Sequence, residues 1–164
     1  MQPVGVVRSP YQSEDQIPKG AGVEHRAEGI LELLPKFGDG LTDIEGFSHL
    51  FVVWVFDRAS GYELLVTPPT DTRPHGVFAT RMPRRPNPIG LTVVALLDRD
   101  RNRLRVRGVD MLDGSPILDI KPYLSSVPDE ELRRGWLDYR REISSSSIES
   151  RPLTSREKPT NEKP

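Results

Sequence analysis

The sequence predicts a mainly β protein: a small antiparallel β-barrel with one or two short helices and a polar C-terminal tail. Proline (16) and glycine (13) together exceed their usual share of about 12% of residues, which favours short strands and turns. The apolar runs are short and rich in Val, Leu and Phe, and one segment has convincing helical periodicity. A closed or nearly closed barrel fits this pattern, because closure removes exposed strand edges.

The first part of the chain predicts two strands separated by a long loop. Val4, Val6 and Val7 predict a strand that stops at Ser9-Pro10, and residues 25–34 predict a second strand. Residues 11–24 are polar and contain Pro and Gly, which is typical of a loop. In residues 39–46, Thr42 and Glu45 have the spacing of a capping box and predict a short helical turn.

The middle of the chain predicts the remaining strands. HLFVVWVF (49–56) is the most apolar run, and we expect a strand buried on both faces. YELLVT (62–67), which Pro68-Pro69 closes, and GVFAT (76–80) predict short strands. Residues 90–97 and 103–109 are joined by the polar turn DRDRN and predict a hairpin.

One helix is predicted near the C-terminus. Pro128 suits a first turn, the acidic residues 129–131 complement the helix dipole, and Leu132, Trp136 and Tyr139 give an apolar stripe over 128–141. Residues 144–164 are rich in Ser and Pro and predict a disordered polar tail. We therefore expect one domain over 1–143 and a flexible tail over 144–164.

Composition excludes several classes of function. The chain has 164 residues, no cysteine and three scattered histidines, so thiolate chemistry and a histidine metal cluster are excluded, and we expect no metal. No apolar run is long enough for a membrane span and the N-terminus has no signal-like core, which predicts a cytoplasmic protein. Dinucleotide, P-loop, zincin and nucleophile-elbow motifs are absent.

Positive charge is concentrated in one segment. Residues 73–107 carry nine arginines and two aspartates, a net charge of +7 in a chain whose total is −1. Arg101, Arg103, Arg105 and Arg107 are expected on one strand face, because side chains alternate along a strand. This stripe predicts either a phosphate-backbone contact or a solvated face paired with acidic residues.

Residues 81–90, RMPRRPNPIG, predict a stiff loop between two strands. Its three prolines fix the backbone and remove hydrogen-bond donors. Such a loop is suited to present Arg81, Arg84, Arg85 and Asn87 to a polar ligand. The alternative is a rigid corner of the barrel.

The segment DMLDGSPILDIKPY (110–123) brings three carboxylates, Asp110, Asp113 and Asp119, close to Lys121. A metal site is one interpretation of such a cluster. A turn at Asp113-Gly114 with an Asp–Lys surface pair is the commoner alternative.

These two segments carry a resemblance to the TsaA-like (YaeB, TrmO) family. The matching motifs are GVFAT followed by R-x-x-x-R-P-N-P-I-G-L, then D-x-x-D-G-S-P-x-x-D-I-K-P-Y, with V-G-V-V-R-S-P-Y at 4–11 and G-F-S-H-L at 46–50 in agreement. The resemblance runs in order from about residue 2 to 140. It implies a small β-barrel that binds S-adenosylmethionine, works as a homodimer and methylates N6 of the threonylcarbamoyl-adenosine beside the tRNA anticodon.

The positions of this chain that match the family's cofactor-binding positions imply its contacts with S-adenosylmethionine. Arg81 is suited to hold a carboxylate, Asp57 an ammonium or ribose hydroxyl, and Leu91 or Ile117 to cover adenine. Asp57 departs from the histidine, and Gly20-Ala21-Gly22 from the Gln-Pro-Gly, common in the family. The implied cofactor contacts are Ala21, Gly22, Val23, Asp57, Arg58, Arg81, Leu91, Gly114, Ser115, Pro116 and Ile117.

The expected reaction needs a proton acceptor, because the lone pair of the adenine N6 is delocalised into the ring. Asn87 and Asp119 are the candidates for this catalytic role. Arg84, Arg85, Lys121 and Tyr123 are the expected substrate contacts. Two alternatives stay open: methylation of a different, small-molecule substrate, and a module that binds the cofactor without transferring its methyl group.

Overall fold

The computed structural model describes residues 1–19, 23–124 and 127–137. The chain divides into two units, Met1–Leu124 and Ser125–Pro164. The first contains eight strands: β1 (Gly5–Arg8), β2 (Glu28–Leu33), β3 (His49–Val55), β4 (Leu65–Val66), β5 (His75–Gly76), β6 (Ile89–Asp100), β7 (Arg103–Arg107) and β8 (Pro116–Pro122).

Six of these strands form one antiparallel sheet in the cyclic order β1-β2-β7-β6-β3-β8. The sheet closes because β1 pairs with β2 along its whole length and with β8 at Gly5 and Val6. The remaining strands, β4 and β5, form a separate two-stranded ribbon. The expectation of a mainly β protein is confirmed.

The core fills the inside of the closed sheet. Leu50, Val52 and Trp54 of β3 point inward, and Leu104 and Val106 of β7 are fully buried with them. The prediction that β3 is buried on both faces is wrong, since burial alternates strictly along it. Its other apolar side chains lie on the outer face because the layer inside the sheet can take only every second residue.

Between β2 and β3 the predicted short helical turn is present, but the predicted capping box is wrong. The turns here are 3₁₀ helices, Pro35–Leu41 and Ile44–Gly46, and Thr42 ends the first of them. The Thr42 hydroxyl donates backwards to the Asp39 carbonyl at 2.8 Å, and Glu45 pairs with Arg99 at 3.1 Å. The capping box is therefore not formed, because both of its side chains have other partners.

The segment between β3 and β6 holds less strand than the sequence predicts. YELLVT contributes only the two residues of β4, which Pro68-Pro69 cannot extend because prolines lack an N–H donor. GVFAT forms a 3₁₀ turn, Val77–Ala79, instead of a strand. The Thr80 N–H and hydroxyl both bond to the Val77 carbonyl, which turns the backbone away from an extended path.

The predicted helix over 128–141 is wrong in its first half. A 3₁₀ turn covers Asp129–Glu131, and residues 132–134 have no regular structure. Gly135 adopts φ +59°, which an α-helix does not contain, and helical backbone begins at Trp136. The rest of the predicted helix, with Tyr139, and the predicted tail over 144–164 lie outside the described residues.

Within the parts of the chain that the structure describes, none of the helices has the length and apolarity to cross a membrane.

The hairpin of β6 and β7 is confirmed, and its turn is the pair Arg101–Asn102. Arg101 adopts φ +55°, so it lies in the turn and not on the strand. The predicted stripe therefore keeps three arginines, Arg103, Arg105 and Arg107, on the exposed face of β7.

Gly90 makes room for the largest side chain of the core. It pairs with Trp54 across β3 and β6, and a Cβ built on Gly90 would lie 2.6 Å from Trp54 Cζ2 and closer still to Cε2. The indole cannot move aside easily, because it is only 4% exposed and its N–H is hydrogen-bonded.

We expect Gly90→Ala to lower the free energy of unfolding by about 1–3 kcal/mol, the usual cost of overpacking a core. Gly38→Ala is the matched control, since a Cβ there meets no atom within 4 Å. Urea denaturation of both variants measures the effect. Equal stability of the two variants would contradict the steric argument.

Candidate functional site

A cleft of about 200 Å³ opens where the proline-rich loop enters β6. It brings together Arg81, Leu91 and Arg85, two predicted cofactor contacts and one predicted substrate contact. Aromatic side chains, two guanidinium groups and a carboxylate share its wall. The lining residues are Trp54, Phe56, Thr80, Arg81, Arg85, Ile89, Gly90, Leu91, Thr92 and Asp110.

A chain of hydrogen bonds leads from the core to this cleft. The Trp54 indole N–H donates to Thr92 Oγ1 at 3.1 Å, and the Thr92 hydroxyl donates to Asp110 Oδ1 at 2.6 Å. Phe56 packs on the indole with its ring centroid 4.2 Å away. Sequence reasoning missed Trp54 and Thr92 as site residues. The available signal was Thr92 itself, a hydroxyl at an inward position of β6.

Arg85 holds the proline-rich loop together. Its Nη1 donates to the carbonyls of Thr80 at 2.8 Å, Val77 at 3.0 Å and Met82 at 3.4 Å, and its guanidinium lies 5.8 Å from the Phe78 ring centroid. These bonds are typical of the rigid corner that the sequence left as an alternative. These bonds use only the two Nη1 hydrogens of the five guanidinium N–H donors.

The other polar residues of the loop point outward. Arg81 is exposed and donates through Nη2 to the Leu91 carbonyl. Arg84 is exposed and pairs with Glu63 at 3.0 Å. Asn87 is exposed, and its backbone carbonyl accepts from the Ile89 N–H at 2.8 Å.

A second group of predicted cofactor contacts lies at the turn before β8. Arg58 donates to the carbonyls of Asp113 and Gln12, both at 2.8 Å, and so ties this turn to the first loop. Gly114 adopts φ +83° and has open space where a Cβ would lie. A glycine is required there by the backbone conformation, and its open side leaves the backbone accessible to a ligand.

Two residues in this group are buried. Ser115 is 2% exposed and Ile117 is fully buried in the core. The expectation that the Ile117 side chain covers adenine is therefore wrong, because Ile117 faces inward on β8 and only its backbone reaches outward. Pro116 is half-buried.

The remaining implied cofactor contacts are only partly described. Val23 and Asp57 are exposed. Ala21 and Gly22 lie outside the described residues.

Asp119, Lys121 and Tyr123 lie together on the outer side of β8. Asp119 pairs with Lys121 at 2.7 Å, and its other oxygen accepts the Ile120 N–H at 2.9 Å. The Tyr123 ring packs on Phe51 at 5.0 Å between centroids. The Asp–Lys surface pair predicted as one alternative is confirmed.

The three carboxylates of residues 110–119 do not converge. Asp113 Oδ1 accepts the Ser9 N–H at 3.1 Å, whereas Asp110 bonds to Thr92 and Asp119 to Lys121. Among the residues described in the structure, no group of three or more His, Asp or Glu side chains is placed to hold a metal ion.

Two of the three arginines of β7, Arg103 and Arg105, are paired with carboxylates on neighbouring strands. Arg105 Nε lies 2.7 Å from Asp98 Oδ2, and Nη1 lies 3.2 Å from Glu28. The hydrogen bond and charge of Asp98 raise the pKa of the Arg105 guanidinium above its usual value. Glu32 lies 3.9 Å from Arg103 and 2.8 Å from Arg8. This geometry favours the interpretation of the stripe as a paired, solvated face.

The outer faces of β3 and β6 form an exposed apolar surface. Phe51 pairs with Val93 and Val53 with Leu91, and directly paired residues lie on the same side of a sheet. Leu91 is 47% and Val93 39% exposed. Contiguous apolar surface of this kind is typical of interaction sites.

Comparisons with known proteins agree with this architecture. A protein of Pyrococcus abyssi named "Probable S-adenosyl-L-methionine-binding protein" is 48% identical over 141 residues, which cover 84% of this chain and 75% of that protein. The tRNA (adenine(37)-N6)-methyltransferase of Escherichia coli is 38% identical over 139 residues, 77% of this chain and 59% of that protein.

A crystal structure of TrmO superposes with a TM-score of 0.67 at 39% identity, over 81% of this chain and 61% of that one. The chain thus spans about three fifths of the length of the Escherichia coli protein and of the solved TrmO structure. The family model of the tRNA-methyltransferase O N-terminal domain matches residues 6–129, and the chain belongs to that family.

Proposed function

We propose that this chain transfers a methyl group from S-adenosylmethionine to N6 of the threonylcarbamoyl-adenosine beside the tRNA anticodon. The observation that carries the proposal is the 38% identity to the Escherichia coli tRNA (adenine(37)-N6)-methyltransferase, which extends over 77% of this chain. The cleft beside the proline-rich loop supports it, because Arg81, Leu91 and Arg85 line one opening.

The residues present fit the charges of S-adenosylmethionine. Arg81 offers a cation to a carboxylate, exposed Asp57 an anion to an ammonium group, and exposed Leu91 an apolar surface to adenine. Gly114 leaves its backbone open to close approach. When bound, the cofactor supplies a methyl group already activated by the sulfonium. The chain's own residues then have to align the acceptor and take up its proton.

Asn87 and Asp119 stay predictions as proton acceptors. Asn87 is exposed on the proline-rich loop, and Asp119 already accepts from Lys121 and the Ile120 N–H. As substrate contacts we propose Arg84 and Arg85 beside the cleft, with Lys121 and Tyr123 on β8. We further propose that the domain covers residues 1–143, that 144–164 form a polar tail, and that the protein works in the cytoplasm.

The closed sheet is proposed to work as a small barrel that pairs with a second copy through the outer faces of β3 and β6. Val53, Leu91 and Val93 supply the apolar surface that an interface between identical copies requires.

The face of the proline-rich loop is proposed as the tRNA contact. Phe78 is 77% exposed beside Arg85, and an exposed ring next to a guanidinium is typical of surfaces that stack unpaired bases. Arg84 and Arg73 are exposed on the same segment. Arg105 of β7 is less suited, because it lies between two carboxylates, Asp98 and Glu28, whereas Arg84 pairs with one, Glu63.

A module that binds S-adenosylmethionine without transferring its methyl group is the second candidate. It is favoured by the name of the Pyrococcus abyssi relative, which states cofactor binding alone. Methylation of a small molecule is the other alternative that the sequence left open.

The proposed function predicts that the purified protein methylates tRNA that carries threonylcarbamoyl-adenosine. After incubation with S-adenosylmethionine, mass spectrometry of the digested tRNA should show this nucleoside with one additional methyl group. Arg81→Ala should weaken cofactor binding in calorimetry about tenfold, the scale of one charge-assisted hydrogen bond.

The outcomes separate the alternatives. Binding of the cofactor with unmodified tRNA and no demethylated product supports the binding module. Demethylated product that forms with a small-molecule extract, while the tRNA stays unmodified, supports a different substrate.

The proposed interface predicts a dimer in solution that Val93→Lys dissociates. A charge placed at this exposed position would lie desolvated between two apolar faces, whereas the free monomer would tolerate it. Light scattering at micromolar concentration measures the mass. Leu34→Lys is the control, at a 43% exposed leucine outside this surface. A wild-type monomer, or a Val93→Lys dimer, would refute the interface.

The proposed tRNA face predicts different effects for two exposed, salt-bridged arginines. Arg84→Gln should lower tRNA affinity and reduce the slope of log affinity against log salt by about one, because one phosphate contact is lost. Arg105→Gln should leave both nearly unchanged, because Arg105 lies between two carboxylates, Asp98 and Glu28, in a group whose net charge is already negative and would not attract a phosphate. If Arg105→Gln lowers tRNA affinity and the salt slope while Arg84→Gln leaves both unchanged, the tRNA contact lies on β7 and not on the proline-rich loop.

A further inference from the structure

A carboxylate without a role in the proposal above lines the cleft. Asp110 is half-buried and shares the cleft wall with Arg81 and Leu91. In the sequence it stood out only as one of three neighbouring carboxylates, for which a metal site was the less common of two interpretations, and that cluster does not form among the described residues. Its position in the cleft therefore calls for another explanation.

The hydrogen bonds behind Asp110 run in one direction. An indole N–H can only donate, so Thr92 Oγ1 accepts from Trp54 and uses its own proton on Asp110 Oδ1. No hydrogen bond from the described residues reaches the other oxygen, Oδ2. The arrangement fixes one oxygen of the carboxylate and leaves the other as an acceptor.

We propose that Asp110 is the proton acceptor of the methyl transfer and that Thr92 and Trp54 position it. The inference rests on the proposed function. As the N6–H bond breaks, the proton passes to Asp110 Oδ2 and the nitrogen electron pair forms the bond to the methyl carbon. The bond from that carbon to the sulfonium sulfur breaks, and its electrons stay on sulfur as a neutral thioether.

Asp110 meets the chemical requirement better than the two residues predicted from sequence. The Asn87 side chain is a neutral amide, which is a very weak base. Asp119 has one oxygen on the Lys121 ammonium at 2.7 Å and the other on a backbone N–H, so both are occupied. Asp110 is a carboxylate with one oxygen held and the other available, in a cleft partly lined by aromatic side chains.

Asp110→Asn is the first test, because it keeps the shape and the Thr92 bond. With Thr92 donating to Oδ1, the new amide N–H₂ group takes the place of Oδ2 and cannot accept a proton. We expect kcat on tRNA to fall at least about 100-fold, the lower range for general base catalysis, with KM raised at most about tenfold and cofactor affinity within about threefold. Asp39→Asn, an exposed aspartate in the 3₁₀ turn after β2, should match the wild type.

A second readout needs no cofactor. Anticodon stem-loop RNAs with and without the N6 methyl group are bound to the cofactor-free protein. The unmethylated RNA has an N6–H for Asp110 to accept, so Asp110→Asn should weaken its binding about tenfold and leave the methylated RNA unchanged. Equal weakening of both RNAs would show a structural role only and overturn the proposal.

The positioning role of Thr92 is tested by a matched pair. Thr92→Ser keeps the hydroxyl and should retain kcat within about threefold, whereas Thr92→Val removes the bond to Asp110 and should lower kcat about tenfold with KM unchanged. If Asp110→Asn lowers the melting temperature, its loss of kcat could come from misfolding, and the Thr92 pair then tests the role of Asp110. Equal kcat for the two Thr92 variants would then overturn the proposal.

The proposed function and this inference fail in different ways. A wild-type protein that transfers no methyl group to tRNA refutes both. A wild type that is active, with Asp110→Asn within threefold of its kcat, refutes the role of Asp110 alone.

Discussion

The contact between Trp54 and Gly90 determines the arrangement of the inner wall of the sheet. The Trp54 indole occupies the space that the Cβ of any other residue at position 90 would need. Because the indole is buried, its N–H needs a hydrogen-bond acceptor within the protein. An unmet buried donor costs about 1–3 kcal/mol, so a hydroxyl at Thr92 is required by the core itself. Thr92 in turn directs its proton to Asp110 at 2.6 Å. The burial of Trp54 in the core thus helps to fix the position of a carboxylate, Asp110, in the cleft.

The closed sheet also explains why its surface is apolar on one side. Inside, only alternate residues of each strand fit, so Phe51 and Val53 have to face outward although β3 is the most apolar run of the chain. Phe51 and Val53 are half-buried, and their partners on β6, Val93 and Leu91, are exposed. The apolar run that predicted burial on both faces is therefore explained by a core on one side of β3 and a partly exposed apolar face on the other.

Sequence reasoning succeeded where the local signal and the long-range structure agree, and failed where a distant partner decides. The hairpin of β6 and β7 followed from a polar turn between alternating strands, and that turn sets the register as far as the pair Asp98–Arg105, beyond which the register shifts. Ile117 looked suited to cover adenine, but its direction depends on the pairing of β8 with β1 and β3, which the local sequence does not show. Arg85 stays a predicted substrate contact, and the structure adds a second role that the sequence did not show, because its guanidinium also donates to backbone carbonyls of residues 77–82.

The net charge of a surface also depends on partners that are distant in the sequence. Counted along the chain, residues 73–107 carry a net charge of +7, yet much of it is offset across the strands by carboxylates from other segments. Arg105 lies between Asp98 and Glu28, and the network of Arg103 and Arg8 with Glu32 is also mixed in sign. An exposed ion pair contributes little to stability, but it removes the field that would attract a phosphate backbone. The loop arginines differ, because Arg84 has one carboxylate partner, Glu63, and Arg81 donates to the Leu91 carbonyl with no carboxylate partner among the described residues. In the proposed function, these loop arginines are therefore the cations that would meet the phosphates, beside the cleft that would hold the reacting base.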